Sequence, residues 1–433
     1  MNDEGDYMQL EQQLIQWRRD FHRHPEQGFL EIRTASIVAQ TLETLGFQLA
    51  VGKEVMDEQS CMGKPTLAQT AEHVQWAKEH GAVEQFLPAF EEGYTGIVAT
   101  LHTGRTGPTI AFRFDMDALP IFESAKQDHV PTKEGFRSIA DGSMHACGHD
   151  AHTAIGLGLA TVLAKNVEQL NGVIKLIFQP AEEGTRGAKS MVKAGVVDDV
   201  DYFVASHIGT GVPNHHFVAA NNGFLATSKL NISFTGKSAH AGSEPEEGKN
   251  ALLAAATATL NMHAICRHSE GDSRINVGEL HAGSGRNIIA NNATIIAETR
   301  GATSAVNDYI KEQATQIIAG AAQMYQVDYD IEVVGEAVSC KCSEALALQL
   351  ATIAKQHPFM QQVDTVSDAK AGSEDATYFL EAVQRNGGQA TYCIFGTDLA
   401  AGHHHEQFDV NEQSLSPAVD ILFDVARTCS TSS

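Results

Sequence analysis

Residues 144–152 read MHACGHDAH and pack Cys147, His145, His149 and His152 into one short stretch. Further along, residues 178–184 read FQPAEEG and set Glu182 beside Glu183. Thiolate and imidazole are the softer donors and carboxylate the harder one. Cys147, His149 and one of the two glutamates therefore suit zinc or manganese.

The residues before these donors matter as much as the donors. Four short apolar runs each lead into acidic residues or histidine. Residues 111–114 lead to Asp115 and Asp117, and residues 174–178 lead to Glu182 and Glu183. Residues 202–206 end at His207, and residues 393–395 lead to the triplet His403, His404 and His405. If the runs are parallel strands, their carboxyl ends share one edge of the sheet, where ligands bind. MHACGHDAH is expected in a loop on that edge. Cys147, His149, a glutamate, His207 and one terminal histidine exceed the three protein ligands of a mononuclear catalytic site. They suit two divalent ions, about 3.5–4 Å apart and bridged by water or hydroxide. The other glutamate would be the general base, taking a proton from that water and passing it to a leaving nitrogen.

Each feature alone has an ordinary reading. The His149–His152 spacing is more often helix surface, the histidine triplet a solvated loop, and paired glutamates a helix face. Their coincidence at four strand ends is what argues for a site. Asp115 and Asp117 read as caps, or, for Asp115, as a carboxylate orienting a ligand histidine. Gly156-Leu157-Gly158 lies inside a helical stretch rather than after a strand, so it is no dinucleotide fingerprint. Cys340 and Cys342 flank one lysine and read as plain thiols.

The elements that must hold these residues follow from periodicity. Helix spacing is seen over 10–23 and 32–45. Residues 52–94 are polar, with breaks at Gly63-Lys64-Pro65 and Gly81, and read as a surface insertion of one or two helices. Short apolar runs at 96–101, 109–114, 172–178, 202–206 and 391–395 alternate with helical stretches such as 153–164 and 373–383. That pattern indicates an α/β fold with a mainly parallel sheet. Residues 224–335 read strand, helix, strand, strand, helix, strand, the ferredoxin-like order. The expected organisation is a catalytic domain of residues 1–223 and 336–433, interrupted by a small α+β domain of residues 224–335.

The chain of 433 residues carries a net charge of −24, with 43% hydrophobic residues. So acidic a surface repels nucleic acid and anionic membrane, which leaves a small molecule as the expected partner. The first residues, MNDEGDYMQLEQQL, lack the apolar core of a signal peptide. Seven scattered cysteines, an odd number, fit a reducing cytoplasm better than a disulfide framework.

The motifs WRRDFHRHPE with Glu31 downstream, RFDMDALP, MHACGHDAHTA, IFQPAEEG, TGKSAHAG, GSGRNIIA, GSEDATYF and HHHEQFD span most of the chain. Together they resemble the dinuclear metallopeptidase family that includes hippurate hydrolase, aminoacylases and the plant indole-acetyl-amino-acid hydrolases. The resemblance implies a metal-dependent hydrolase of the amide bond in an N-acyl amino acid, with two manganese or zinc ions per chain. It implies Cys147, His149, Glu183, His207 and His404 as metal ligands and Glu182 as the base. His404 is the member of the triplet that stands five residues before Asp409, as the family pattern requires. His240 matches a histidine that stabilises the oxyanion, often in a partner subunit's site, and Asn250, Arg286 and Asn287 resemble contacts to the substrate carboxylate. After SAHAG this chain reads SEPEEGKN where the family usually has Pro-His. The 52–94 insertion, PAEEGTRGAKSMV, HIGTGVP and GTDLAAGHHHEQFD resemble one branch, whose substrate is an aromatic N-acyl glutamate. The family resemblance also implies dimers formed through the small domain and, in that branch, a related second subunit. The alternatives are another N-acyl amino acid such as hippurate, or a non-catalytic partner with a structural metal. The presence of Glu182 argues against the last, because a structural site needs no base.

Overall fold

The computed structural model describes residues 4–368 and 372–431; residues 1–3 of the acidic N-terminal stretch lie outside them. The chain divides into two compact units. One comprises Met1–Gly223, Cys340–Ala371 and Asp375–Ser433, the other Phe224–Ser339 and Gly372–Glu374.

The larger unit is built on a sheet of eight strands. In chain order they are β1 (Gln48–Val51), β2 (Ile97–His102), β3 (Thr109–Asp115), β4 (Val173–Gln179), β5 (Tyr202–Ile208) and β6 (His216–Val218). The small unit then supplies β7 (Ala226–Thr235), β8 (Ser273–Ala282), β9 (Asn292–Gly301) and β10 (Asp328–Ala337). The larger sheet resumes with β11 (Gln362–Asp364) and β12 (Gln389–Phe395). Its order is β1-β2-β4-β3-β5-β12-β6-β11. The central strands β4, β3, β5 and β12 are mutually parallel. They are the four apolar runs that lead into donor residues, and their near-continuous burial is what a sheet covered on both faces requires. Antiparallel pairs lie outward, at β1–β2, β2–β4 and β12–β6.

The helix His149–Lys165 lies against this sheet. A Cβ on Gly156 would come within 2.7 Å of the Phe114 ring, and one on Gly158 within 2.6 Å of Leu14. The Gly-Leu-Gly triplet therefore serves close packing. The helix begins four residues earlier than its expected start at 153, so His149 to His152 form its first turn and only Cys147 and its predecessors lie in the loop.

The 52–94 segment is not confined to the surface. It folds into the helices Leu67–Glu79 and Leu87–Phe90 with short turns around them, and its Ala77, Phe86, Leu87 and Phe90 join the main hydrophobic core. Its apolar residues fall at irregular spacings across several turns, so no period revealed the buried face.

In the small unit, β10-β7-β9-β8 form an antiparallel sheet. With the helices Ala251–Met262 and Ser304–Tyr325 this is the ferredoxin-like arrangement. Alternate residues Leu230, Ile232 and Phe234 of β7 and Ala293, Ile295 and Ala297 of β9 join a core with the alanine-rich helix faces.

Candidate metal centre

Because the four central strands are parallel, their carboxyl ends meet along one edge. Register sets Asp115 beside Gln179 and His207 beside Ile394. Among the groups of donors that assemble there, each with its donor atoms within 4.8 Å of one another, are Cys147, His149 and His207, and Cys147, Glu183 and His404. All five ligand positions expected from sequence are thus gathered, and Cys147 belongs to both groups. The backbone of His404 is tied to the cysteine loop, its N–H donating to the Ala146 carbonyl at 2.8 Å. His404 sits at a φ of 64°, a left-handed conformation that costs a non-glycine residue and is held by its surroundings.

Neighbouring groups fix which atom each histidine presents. The His149 Nδ1 donates to Asp117 Oδ1 at 3.2 Å, which leaves Nε2 buried with no hydrogen-bond partner. The His207 Nδ1 donates to the Ile208 carbonyl at 2.8 Å, and its Nε2 faces Cys147 Sγ at 3.5 Å. Glu183 Oε1 is likewise buried without a hydrogen bond, 3.6 Å from His404 Nε2. Orphaned buried polar atoms are rare, and here two of them face the same cluster. Burial, then the Glu183 charge, pushes the Cys147 thiol well above its ordinary value. Burial, despite His149, raises Glu183 to about 7. A divalent cation would reverse both effects, so the donor set fits a metal centre.

The carboxylate bonded to the His149 ring is that of Asp117, which reads from the sequence as a cap, rather than that of Asp115. The Asp117 Oδ1 also accepts the Glu182 N–H at 3.0 Å and its Oδ2 the Glu183 N–H at 2.9 Å. Asp115 instead accepts from Arg113 Nη1 at 2.6 Å and His152 Nδ1 at 2.5 Å, and stands 3.7 Å from His149 Nε2. His152 is buried rather than on the helix surface. Its Nε2 accepts the Ile208 N–H at 2.9 Å, so both ring nitrogens are engaged. His403 also faces the cluster, with Nδ1 3.6 Å from Cys147 Sγ while Nε2 accepts the Thr210 N–H. Glu182 is buried, its Oε2 3.8 Å from His149 Nε2. Glu31, present in sequence only as part of a motif, is buried and accepts from Thr95 Oγ1 at 2.7 Å and the Ala181 N–H at 2.8 Å. Burial, then Asp117, raises it to about 8.

The small unit gathers its own expected residues. His240 bridges to Ile288, and the Ala241 N–H donates to the Asn287 carbonyl at 3.0 Å, so His240, Arg286 and Asn287 lie together and exposed. The His240 Nδ1 accepts the Gly242 and Ser243 N–H groups, both at 3.1 Å, which leaves Nε2–H as a donor. Asn250 is the cap of the helix Ala251–Met262, its Oδ1 accepting the Leu253 N–H at 3.2 Å. Its amide NH₂ remains as a donor for a ligand.

Residues 111–428 match the family described as peptidase family M20/M25/M40. The chain belongs to this family. It is 53% identical to one of the subunits of p-aminobenzoyl-glutamate hydrolase of Escherichia coli K12, over 95% of each chain. It is 52% identical to indole-3-acetyl-aspartic acid hydrolase of Enterobacter agglomerans, over 96% of this chain and 95% of that one. The crystal structure of an aminobenzoyl-glutamate utilization protein from Klebsiella pneumoniae superposes with a TM-score of 0.86 at 48% identity, covering 99% of this chain and 98% of that one. A dinuclear metal binding M20 peptidase of Bacillus subtilis shares the fold, with a TM-score of 0.66 at 23% identity over 97% and 98% of the two chains.

Proposed function

We propose that this chain is a metal-dependent amidohydrolase that cleaves p-aminobenzoyl-glutamate into p-aminobenzoate and glutamate. The observation that carries the reading is the pair of donor groups sharing Cys147. Beside them Glu182 is held through its backbone by the same aspartate that orients His149. Cys147, His149 and His207 would hold one manganese or zinc ion, and Cys147, Glu183 and His404 the other. Bound there, the ions would lower the pKa of a water and polarise the amide carbonyl. Glu182 would take a proton from the attacking water and hand it to the amide nitrogen, so that the leaving amine departs neutral. His240 donates Nε2–H to the developing oxyanion, delivered from the small domain of a second copy. Arg286, Asn287 and the Asn250 amide bind the substrate carboxylates, a task that the charge of −24 makes necessary.

The two relatives near 53% and 52% identity carry names for different acyl amino acids, an aromatic acylglutamate and an indole-acetyl-aspartate. Their shared chemistry, an aromatic acyl group on an acidic amino acid, is the substrate class we assign. Dimerisation through the small unit is supported by Leu252, Leu253 and Leu260, exposed on the helix Ala251–Met262, and by the open edge of β8. The Escherichia coli relative is named as one subunit of its hydrolase, which supports assembly of this chain with a related second subunit. No helix among the described residues is long and apolar enough to cross a membrane, and the free cysteines support a cytoplasmic location.

The test is an assay of the purified chain, by itself and with that second subunit, loaded with manganese or zinc. The panel is p-aminobenzoyl-glutamate, indole-acetyl-aspartate and hippurate. The highest kcat/KM is expected for the first, with metal analysis approaching two ions per chain. Preference for hippurate would overturn the acidic-substrate reading. Saturation at one ion with full activity would overturn the two-ion centre.

A further inference from the structure

The 52–94 insertion reaches the turn that carries Glu183. We infer that this insertion braces the turn, and that Arg186 is the positioning residue through which it does so; the inference rests on the two-ion reading above.

The turn needs bracing. Ala181 sits at a φ of 50° and Thr185 at 60°, conformations that persist only where the surroundings over-determine them. Asp117 holds the N–H groups of Glu182 and Glu183 from one side. On the other side, Arg186 Nε donates to the Glu183 carbonyl at 3.0 Å and Nη1 to the Gly63 carbonyl of the insertion at 3.1 Å. The guanidinium carbon lies 5.5 Å from the centre of the Phe29 ring. Gly28, with no Cβ, leaves open the space that Nη2 occupies.

The insertion is anchored where this contact is made. The Asp57 N–H donates to the Ser190 carbonyl at 3.1 Å, Ser190 Oγ returns a bond to the Asp57 carbonyl at 3.1 Å, and Cys61 Sγ lies 3.2 Å from Ser190 Oγ. Its helix adds a bond between His73 Nε2 and the buried Glu26 at 2.8 Å. One planar guanidinium thus joins a loop fixed at several points to the peptide of a proposed ligand. An ammonium has no fork with which to span the two carbonyls. The two features that set this branch apart in sequence, the insertion and the arginine of PAEEGTRGAK, work as one device.

The experiment is Arg186→Gln, with manganese binding followed by calorimetric titration and metal analysis, beside thermal melting of the metal-free protein. Wild type is expected to bind two ions. In the variant the ion assigned to Cys147, Glu183 and His404 is expected to bind about 10–100-fold more weakly, the range for loss of a group supporting a ligand. The ion assigned to Cys147, His149 and His207 should keep its affinity. Arg186→Lys, which keeps the charge and most of the packing, should fall between and serves if Arg186→Gln melts early. Gly63→Val, strained at a φ of 62°, displaces the carbonyl and should weaken the same ion, with no further loss when combined with Arg186→Gln. Two ions of unchanged affinity in Arg186→Gln, equal weakening of both, or additive losses in the double variant would each overturn the inference. Wild type binding a single ion would instead overturn the two-ion reading.

Discussion

Asp117→Asn is the sharpest single test of the site. Three N–H donors converge on this side chain: the His149 ring at 3.2 Å and the backbones of Glu182 at 3.0 Å and Glu183 at 2.9 Å. An asparagine offers one acceptor oxygen. If that oxygen stays with His149 and Glu182, the new NH₂ points at the Glu183 N–H; if it turns, two donors are opposed. Hydrogen bonds to a charged group contribute about 1.5–3 kcal/mol each. Losing one therefore costs roughly 10–150-fold, at 1.36 kcal/mol per tenfold. We expect kcat on p-aminobenzoyl-glutamate to fall by about that factor, with metal affinity falling about 10–100-fold as His149 and Glu183 lose their aim. Release of p-aminobenzoate and calorimetric metal titration give the two readouts. Asp115→Asn is the comparison, because its bonds go to Arg113 and His152 and not to a proposed ligand. If Asp117→Asn kept wild-type metal affinity and rate while Asp115→Asn lost both, the orienting role would belong to Asp115.

Other substitutions separate the remaining roles. Glu182→Gln should retain its metal and lose about 10²–10⁴-fold in kcat, the range for a general acid–base group, while Glu183→Gln should lose metal affinity as well. The reverse pattern would exchange the two assignments. His240→Ala should lower kcat more than it raises KM, since the role proposed for its donor is toward charge that develops during reaction. Mixing inactive His240→Ala with inactive Glu182→Gln chains should restore part of the activity, because one hybrid site then receives neither defect. Absence of recovery despite demonstrated chain exchange would assign His240 to its own chain's site or to none. A fourth expectation concerns pH. Burial and Arg18 push His22 down, but Asp150 at 2.8 Å and Glu123 at 2.9 Å outweigh them and raise it to about 9. A raised folded-state pKa stabilises below the unfolded value near 6.5 and loses that contribution as pH passes 9. The melting temperature should therefore drop between pH 7 and 9.5 in wild type and less so in His22→Gln; parallel curves would show that His22 is not the group responsible.

The parts of this molecule that were legible in sequence share a physical cause. Strands buried on both faces read as unbroken apolar runs, so β3, β4, β5 and β12 stood out, and a parallel sheet must align their carboxyl ends. Donors placed just beyond those ends were therefore legible as a cluster before any geometry was known. What stayed hidden depends on directions that periodicity does not carry past a strand end. Side chains alternate along β3, but the alternation stops at Asp115, so nothing in the pattern RFDMD told which aspartate would turn toward His149. His152 gave no sign of burial, because a histidine saturated by a carboxylate and a backbone N–H looks the same in sequence as one on a helix surface. The insertion concealed its role for a related reason. Its contact with the site runs through a backbone carbonyl, that of Gly63, and backbone atoms leave no residue-type signature. Only the partner side chain, Arg186, could have signalled it, and a lone arginine after a glutamate pair is indistinguishable from a solvated surface charge until the turn at Ala181 and Thr185 is seen to need support.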